Sequence, residues 1–125
     1  MILCDTNILI DFYKGDPTAT AFFRDTGINN VAVSMVTVGE LYFGARDKRE
    51  LQAFKKHLAL LTQYPVTEKV SEIFIELLEN YALSHRLSLP DAMIAATAIA
   101  NNLPLYTLNL KDFRYIPELT LYQPE

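Results

Sequence analysis

Cysteine is almost missing from this sequence: there is one, Cys4, in 125 residues. That excludes an internal disulfide framework and leaves no set of thiolates for a structural zinc site. Cys4 lies inside an apolar run, where a thiol acts as a small core side chain rather than a nucleophile. Long hydrophobic runs are missing too. The longest, Ala92–Ala100, is far short of the roughly 20 residues that span a bilayer, so no membrane association is expected. Asp5 interrupts the apolar start and no charged leader precedes it, so no secretory signal is legible and a cytoplasmic location is expected. Positive charge is scarce: 11 Lys and Arg stand against 15 Asp and Glu, a net charge of −4, with a pI near 5.1. Such a balance removes any general electrostatic attraction to nucleic acid. Binding RNA or DNA would require a local basic patch, or a metal that offsets the acids. Repeats and low-complexity segments are absent as well.

What remains suits one ordinary domain over residues 1–125. Half the residues are hydrophobic, and a chain of this length buries roughly two-thirds of its unfolded surface. Ile2-Leu3-Cys4 and Val31-Ala32-Val33 read as strands buried on both faces. Tyr64-Pro65-Val66, Leu105-Tyr106-Thr107 and Leu119–Tyr122 read as further short strands, although Pro65 weakens the first of these. Between them run helical patterns: Ile8 to Tyr13, a second helix opened by Pro17, Val36 to Arg46 capped by Ser34, and one through Leu51, Phe54, Leu58 and Leu61. Then come Glu68 to His85, with an apolar stripe from Val70 to Tyr81, and a small-residue helix from Ala92 to Ala100 introduced by Ser88-Leu89-Pro90-Asp91. This alternation implies an α/β fold: three layers, α/β/α, around a mostly parallel central sheet of about four to five strands.

Three acids stand apart from the rest. Asp5 ends the first strand, where open α/β sheets bind their ligands beyond the strand tips. Glu40 interrupts an otherwise apolar helix, and Asp91 begins the helix that looks most buried. Each has a plain structural reading: a helix cap for Asp5, a partnered acid for Glu40, and an acid complementing the helix dipole for Asp91. If the fold gathers them, their repulsion calls for a divalent cation, and magnesium suits a site of carboxylates and water. Both readings stay open on spacing alone. His57, among lysines, and His85, beside Arg86, have no nucleophile partner and read as surface residues.

The segments around these acids resemble the acidic motifs of PIN-domain ribonucleases. They are Ile2-Leu3-Cys4-Asp5-Thr6-Asn7, Ser34 to Leu41, Leu89-Pro90-Asp91 to Ala96, and the closing Leu105 to Phe113 block, in order and over nearly the whole chain. Size and arrangement are most similar to VapC-type toxins of type II toxin–antitoxin pairs. The resemblance implies a PIN-like fold in which Asp5, Glu40 and Asp91 bind Mg2+, with Mn2+ as a substitute. The position commonly filled by a fourth acid is Asn109 here, which could still hold the metal or its water through the carbonyl. Asp112, three residues on, could take its place. Thr6, Asn7, Ser34 and Thr107 match polar positions that support the acids. The activity implied is endoribonucleolytic hydrolysis of structured RNA, for example tRNA or rRNA, by a metal-activated water, leaving a 5′-phosphate and a 3′-hydroxyl.

Arg46, Lys48, Arg49 and Arg86, with Lys111 and Arg114, are the candidates to hold RNA phosphates; a solvated charged corner is the simpler reading of each. The aromatic pairs Phe12-Tyr13, Phe22-Phe23 and Tyr42-Phe43 are mostly explained by core packing. The resemblance adds a groove for a VapB-like antitoxin, a homodimer, and a hetero-oligomer of toxin with antitoxin. Two rival readings keep their place: a PIN-fold RNA- or protein-binding module with little or no catalysis, and a metal phosphoesterase acting on another substrate.

Overall fold

The apolar strands pair in parallel throughout. A computed structural model describes residues 1–124, with strands β1 (Ile2–Cys4), β2 (Val31–Ser34), β3 (Thr62–Tyr64) and β4 (Leu105–Tyr106). They form one sheet in the order β3-β2-β1-β4, every neighbouring pair parallel. The helices are α1 (Thr6–Tyr13), α2 (Pro17–Thr26), α3 (Met35–Phe43), α4 (Lys48–Leu58), α5 (Glu68–His85) and α6 (Leu89–Ala100).

Alternation along the strands shows why there are three layers. Leu3, Ala32 and Leu105 share a row and pack with Val70, Leu77, Ile94 and the alanines of α6. Their neighbours Cys4, Val31, Val33 and Tyr106 face the other way, against Ile8, Leu9, Phe22, Phe23, Leu41 and Leu58 of α1 to α4. Successive strand residues point to opposite faces, and here both faces are apolar, so both must be covered. Ala92, Ala95, Ala96 and Ala98 are all fully buried; their small side chains let α6 lie close to the sheet. Burial pushes the Cys4 thiol far up, which fits an inert core residue.

Two strands differ from the sequence reading. β3 is Thr62–Tyr64, beginning two residues earlier than expected and ending immediately before Pro65; proline offers no donor to a ladder, so pairing ends before it. Leu119–Tyr122 forms no fifth strand. It makes a single parallel bridge, Leu105 to Leu121, with Leu105 N donating to the Thr120 carbonyl and Tyr122 N to that of Leu105. Among the described residues no helix is long and apolar enough to cross a membrane.

The strand order sets the site. From β1 the chain steps to β2 and β3 on one side, then returns to β4 on the other side of β1. The carboxyl ends of β1 and β4 therefore flank the point where the winding reverses, which is where such sheets open a crevice for ligands.

Candidate active site

Asp5 follows β1 at this point, and Thr107 follows β4. Asp5 N donates to the Tyr106 carbonyl at 2.9 Å. Asp5 is 5% exposed, so its carboxylate must be held by donors. Oδ1 accepts from Thr6 N at 2.7 Å and Oδ2 from Thr107 Oγ1 at 2.8 Å. The same carboxylate is the N-cap of α1. The two readings of Asp5 are thus compatible: the cap fixes the side chain that faces the crevice.

Glu40 reaches the cluster from α3. Thr6 Oγ1 donates to Glu40 Oε1 at 2.7 Å and lies 2.9 Å from Thr37 Oγ1. Ser34 Oγ donates to Thr37 Oγ1 at 3.4 Å while accepting from Thr37 N at 3.3 Å as the cap of α3. Each hydroxyl has one proton, so a single direction satisfies the chain: Ser34 donates to Thr37, Thr37 to Thr6, and Thr6 to Glu40. Ser34 and Thr37 are fully buried. Thr37 went unnoticed in the sequence, although its place three residues after the Ser34 cap and three before Glu40 puts it on their helical face.

Asp91 occupies the first turn of α6, its backbone N donating to Ser88 Oγ at 3.2 Å. Burial and then the charges of Asp5 and Asp112 push its carboxyl up to about 6. Asp5 is also raised, by burial first and then by Glu40 and Asp112, against the lowering effect of its Thr107 and Thr6 hydrogen bonds. Asp5 is thus within electrostatic reach of Glu40 and Asp112, and Asp91 of Asp5, Asp112 and Glu40, with no cation among the charges that move either. Among the described residues no three His, Cys, Asp or Glu side chains converge closely enough to hold an ion as they stand. An all-oxygen donor set with excess negative charge nonetheless fits a hard divalent cation.

The remaining expected residues divide. Asp112, on a 3-10 turn at Leu110–Asp112, adds its charge to Asp5 and Asp91. Asn109 is exposed, and its backbone N, not its side chain, donates to Thr107 Oγ1 at 3.0 Å. Asn7 has a buried Oδ1 without a hydrogen-bond partner among the described residues.

Arg46 and Arg49 line one groove of about 960 Å3 with Glu40, Tyr13, Phe54 and His57. Arg46 is already paired with Glu50, Nη2 to Oε2 at 2.7 Å and Nε to Oε2 at 3.0 Å. Lys48 is exposed at the start of α4, and Arg86 is the left-handed C-cap of α5, on a different element. His57 is not the surface residue expected from its lysine neighbours. It is half-buried, bonded through Nδ1 to Tyr13 OH at 2.8 Å and stacked on Phe12 at 5.0 Å. The helical face of α4 decides this, turning Lys55 and Lys56 outward and His57 inward. His85 is exposed as expected.

The PIN domain profile matches residues 2–119. The chain belongs to the PIN-domain family. A ribonuclease VapC19 from Mycobacterium tuberculosis is 35% identical over 123 residues, covering 95% of this chain and 97% of that protein. A ribonuclease VapC from Rickettsia bellii is 29% identical, covering 94% and 92%. Among solved structures, a toxin–antitoxin complex from Klebsiella pneumoniae contains a chain of the same fold, with a TM-score of 0.81, 32% identity, and coverage of 99% and 100%. VapBC2 from Rickettsia felis, bound to a promoter DNA fragment, gives 0.79 at 27% identity over the full length of both chains.

Proposed function

We propose that this chain is the ribonuclease toxin of a toxin–antitoxin pair and that its four clustered acids carry the reaction with a divalent cation. The hydrogen-bonded cluster at the strand tips, with Asp5 held by Thr6 N and Thr107 Oγ1 and Glu40 joined to it through Thr6 Oγ1, is the observation that carries this reading. Carboxylates gathered there without compensating cations are destabilising unless another positive charge arrives. Asp5, Glu40, Asp91 and Asp112 would hold Mg2+ or Mn2+, which supplies neutralisation and makes water acidic enough to attack a phosphodiester.

The chain's own groups prepare the rest. Thr107 and Thr6 N fix both oxygens of Asp5, leaving their remaining lone pairs for ligand. The hydroxyl chain from Ser34 fixes one oxygen of Glu40. Asp91, whose carboxyl is raised by burial and then by the charges of Asp5 and Asp112, would gain most from a cation brought into the cluster. Asp112 fills the fourth acidic place; Asn109 tethers it by its backbone bond to Thr107. Arg46 and Arg49 position phosphate along the groove that Glu40 also lines.

The same groove receives an antitoxin segment. Its wall of Phe12, Tyr13 and Phe54 suits apolar side chains, and Glu40 suits a basic one. Phe43, 94% exposed at the end of α3, is apolar surface of the kind that partners cover. A homodimer and a cytoplasmic location accompany this reading.

The test is cleavage of total cellular RNA, beside DNA, by antitoxin-free protein with magnesium or with chelator, in parallel with Asp5→Ala. Discrete RNA fragments that require both metal and Asp5 are expected. Cleavage of DNA alone would move the activity to another phosphoesterase, and no cleavage by folded protein would leave a binding module.

A further inference from the structure

Three aromatic rings meet at the end of α5, outside the hydrogen-bonded acid cluster. His85 lies nearly flat on Tyr115, with centroids 4.0 Å apart and planes at 18°. Tyr81, one turn earlier on α5, meets both edge-on, at 5.6 Å from His85 and 5.1 Å from Tyr115. Tyr81 and Tyr115 are half-buried, whereas His85 is exposed. One face of the imidazole is therefore closed by Tyr115, and its exposure falls on the remaining face and edge.

The imidazole is also held in place. Ser84 Oγ donates to the Asn80 carbonyl at 3.3 Å and lies 2.8 Å from His85 Nδ1. This contact holds the imidazole in place against Tyr115.

The stack sits beside the acids by construction. Leu87 and Ser88 lead from His85 directly into α6, whose first turn carries Asp91. Tyr115 follows Asp112 by three residues. Its hydroxyl is buried with no partner among the described residues. Burial, followed by the charges of Asp91 and Asp112, pushes that phenol up, so both acids are within its reach. Arg86 and Arg114, each adjacent in sequence to one ring of the stack, are exposed.

We propose that the His85–Tyr115 stack is a subsite for one unpaired nucleobase of the RNA, next to the phosphate offered to the acids. The inference rests on the ribonuclease reading above and adds how substrate is held. A fixed, solvent-facing ring backed by a second ring offers a base a π surface without an ordering cost, and stacking accepts any base. A base can reach it only when splayed from a helix, so the subsite selects loops and single strands. Flanking arginines would take the neighbouring phosphates.

The test uses the full chain in chelator, titrated with adenosine 5′-monophosphate or with ribose 5-phosphate and read by the 1H–15N signals of the His85 ring. The nucleotide is expected to shift them and the base-free sugar phosphate is not. Steady-state cleavage then compares His85→Ala with His85→Phe. The alanine variant should raise KM about tenfold, with kcat held within about twofold, and the phenylalanine variant should restore KM. No shift with nucleotide, equal shifts with both probes, or an unchanged KM for His85→Ala would overturn the subsite. So would a change in oligomeric state for His85→Ala with nucleotide binding intact. Protein that cleaves no RNA yet takes the nucleotide at His85 keeps the subsite and loses the ribonuclease. Normal cleavage with an indifferent His85→Ala loses the subsite alone.

Discussion

The acid pocket at the strand tips and the aromatic groove between α1 and α4 share a wall, Glu40, and respond to pH in opposite directions. In the pocket, burial and neighbouring charge raise Asp91 to about 6. Its folded form holds a proton that the unfolded chain has already released, so stability falls as pH climbs from about 4 to 6. In the groove, burial lowers His57. There the unfolded chain takes up the proton first, so stability is lost as pH falls from about 6.5 through the lowered value. The pocket is strained by charge it retains; the groove is strained by charge it would gain. One is arranged for a cation, the other for an apolar occupant.

Removing a carboxylate tests the pocket most severely. Polar groups that merely orient metal ligands cost about 10–100-fold in affinity or activity when lost, so Asp5→Ala and Asp91→Asn should exceed that and bring RNA cleavage to background. Asp91→Asn should do so while the protein stays folded. Wild-type turnover in Asp91→Asn would remove that acid from the reaction.

The supporting hydroxyls should fall within the lower range. Thr6→Val breaks the link between Thr37 and Glu40, and activity should drop roughly 10–100-fold with the acids intact. Thr37→Val should lower stability by about 2 kcal/mol through two lost bonds, to Thr6 and from Ser34, at a fully buried position. Equal activity in Thr6→Val and wild type would show that Glu40 needs no such tether.

Stability separates the two regions directly. Millimolar magnesium should raise the melting temperature of wild type at pH 7.5, because a ligand of the folded state alone stabilises it. Asp91→Asn should melt higher than wild type without metal, and should show a shallower decline between about pH 4 and 6, the part due to the raised Asp5 remaining. Unfolding measured across that range checks both. An unchanged pH slope would mean that Asp91 is less perturbed than its surroundings imply.

Much of this could be read from the chain because each acid follows a strong local signal. The apolar run Ile2-Leu3-Cys4 places Asp5 at a strand tip, and Ser88 with Pro90 places Asp91 in a first helical turn. What escaped the sequence depends on pairing between distant segments. Thr37 matters only because Thr6, thirty-one residues away, lies 2.9 Å from it. β3 stops at Tyr64 and the Leu119–Tyr122 tail makes one bridge, since β-propensity in a short run says little about its neighbour. His57 looked solvated beside Lys55 and Lys56; only the rotation of α4 against α1 shows it against Tyr13 and Phe12.

The smallest effect belongs to that last pair. Tyr13→Phe keeps the ring stacked on Phe54 at 4.8 Å and removes only the hydroxyl that meets His57 Nδ1 at 2.8 Å. One neutral hydrogen bond is worth about 1 kcal/mol, and a buried partner left unpaired costs more than one that can find water. His57 is half-buried and lines an open groove, so the loss should lie near the lower value, and cleavage should be unchanged. His57→Phe goes further, because it removes the group that would be charged. The groove's loss of stability below about pH 6.5 should then vanish while the pocket's decline between 4 and 6 remains. If His57→Phe flattened both slopes, the two regions would be coupled through Glu40 rather than merely adjacent to it.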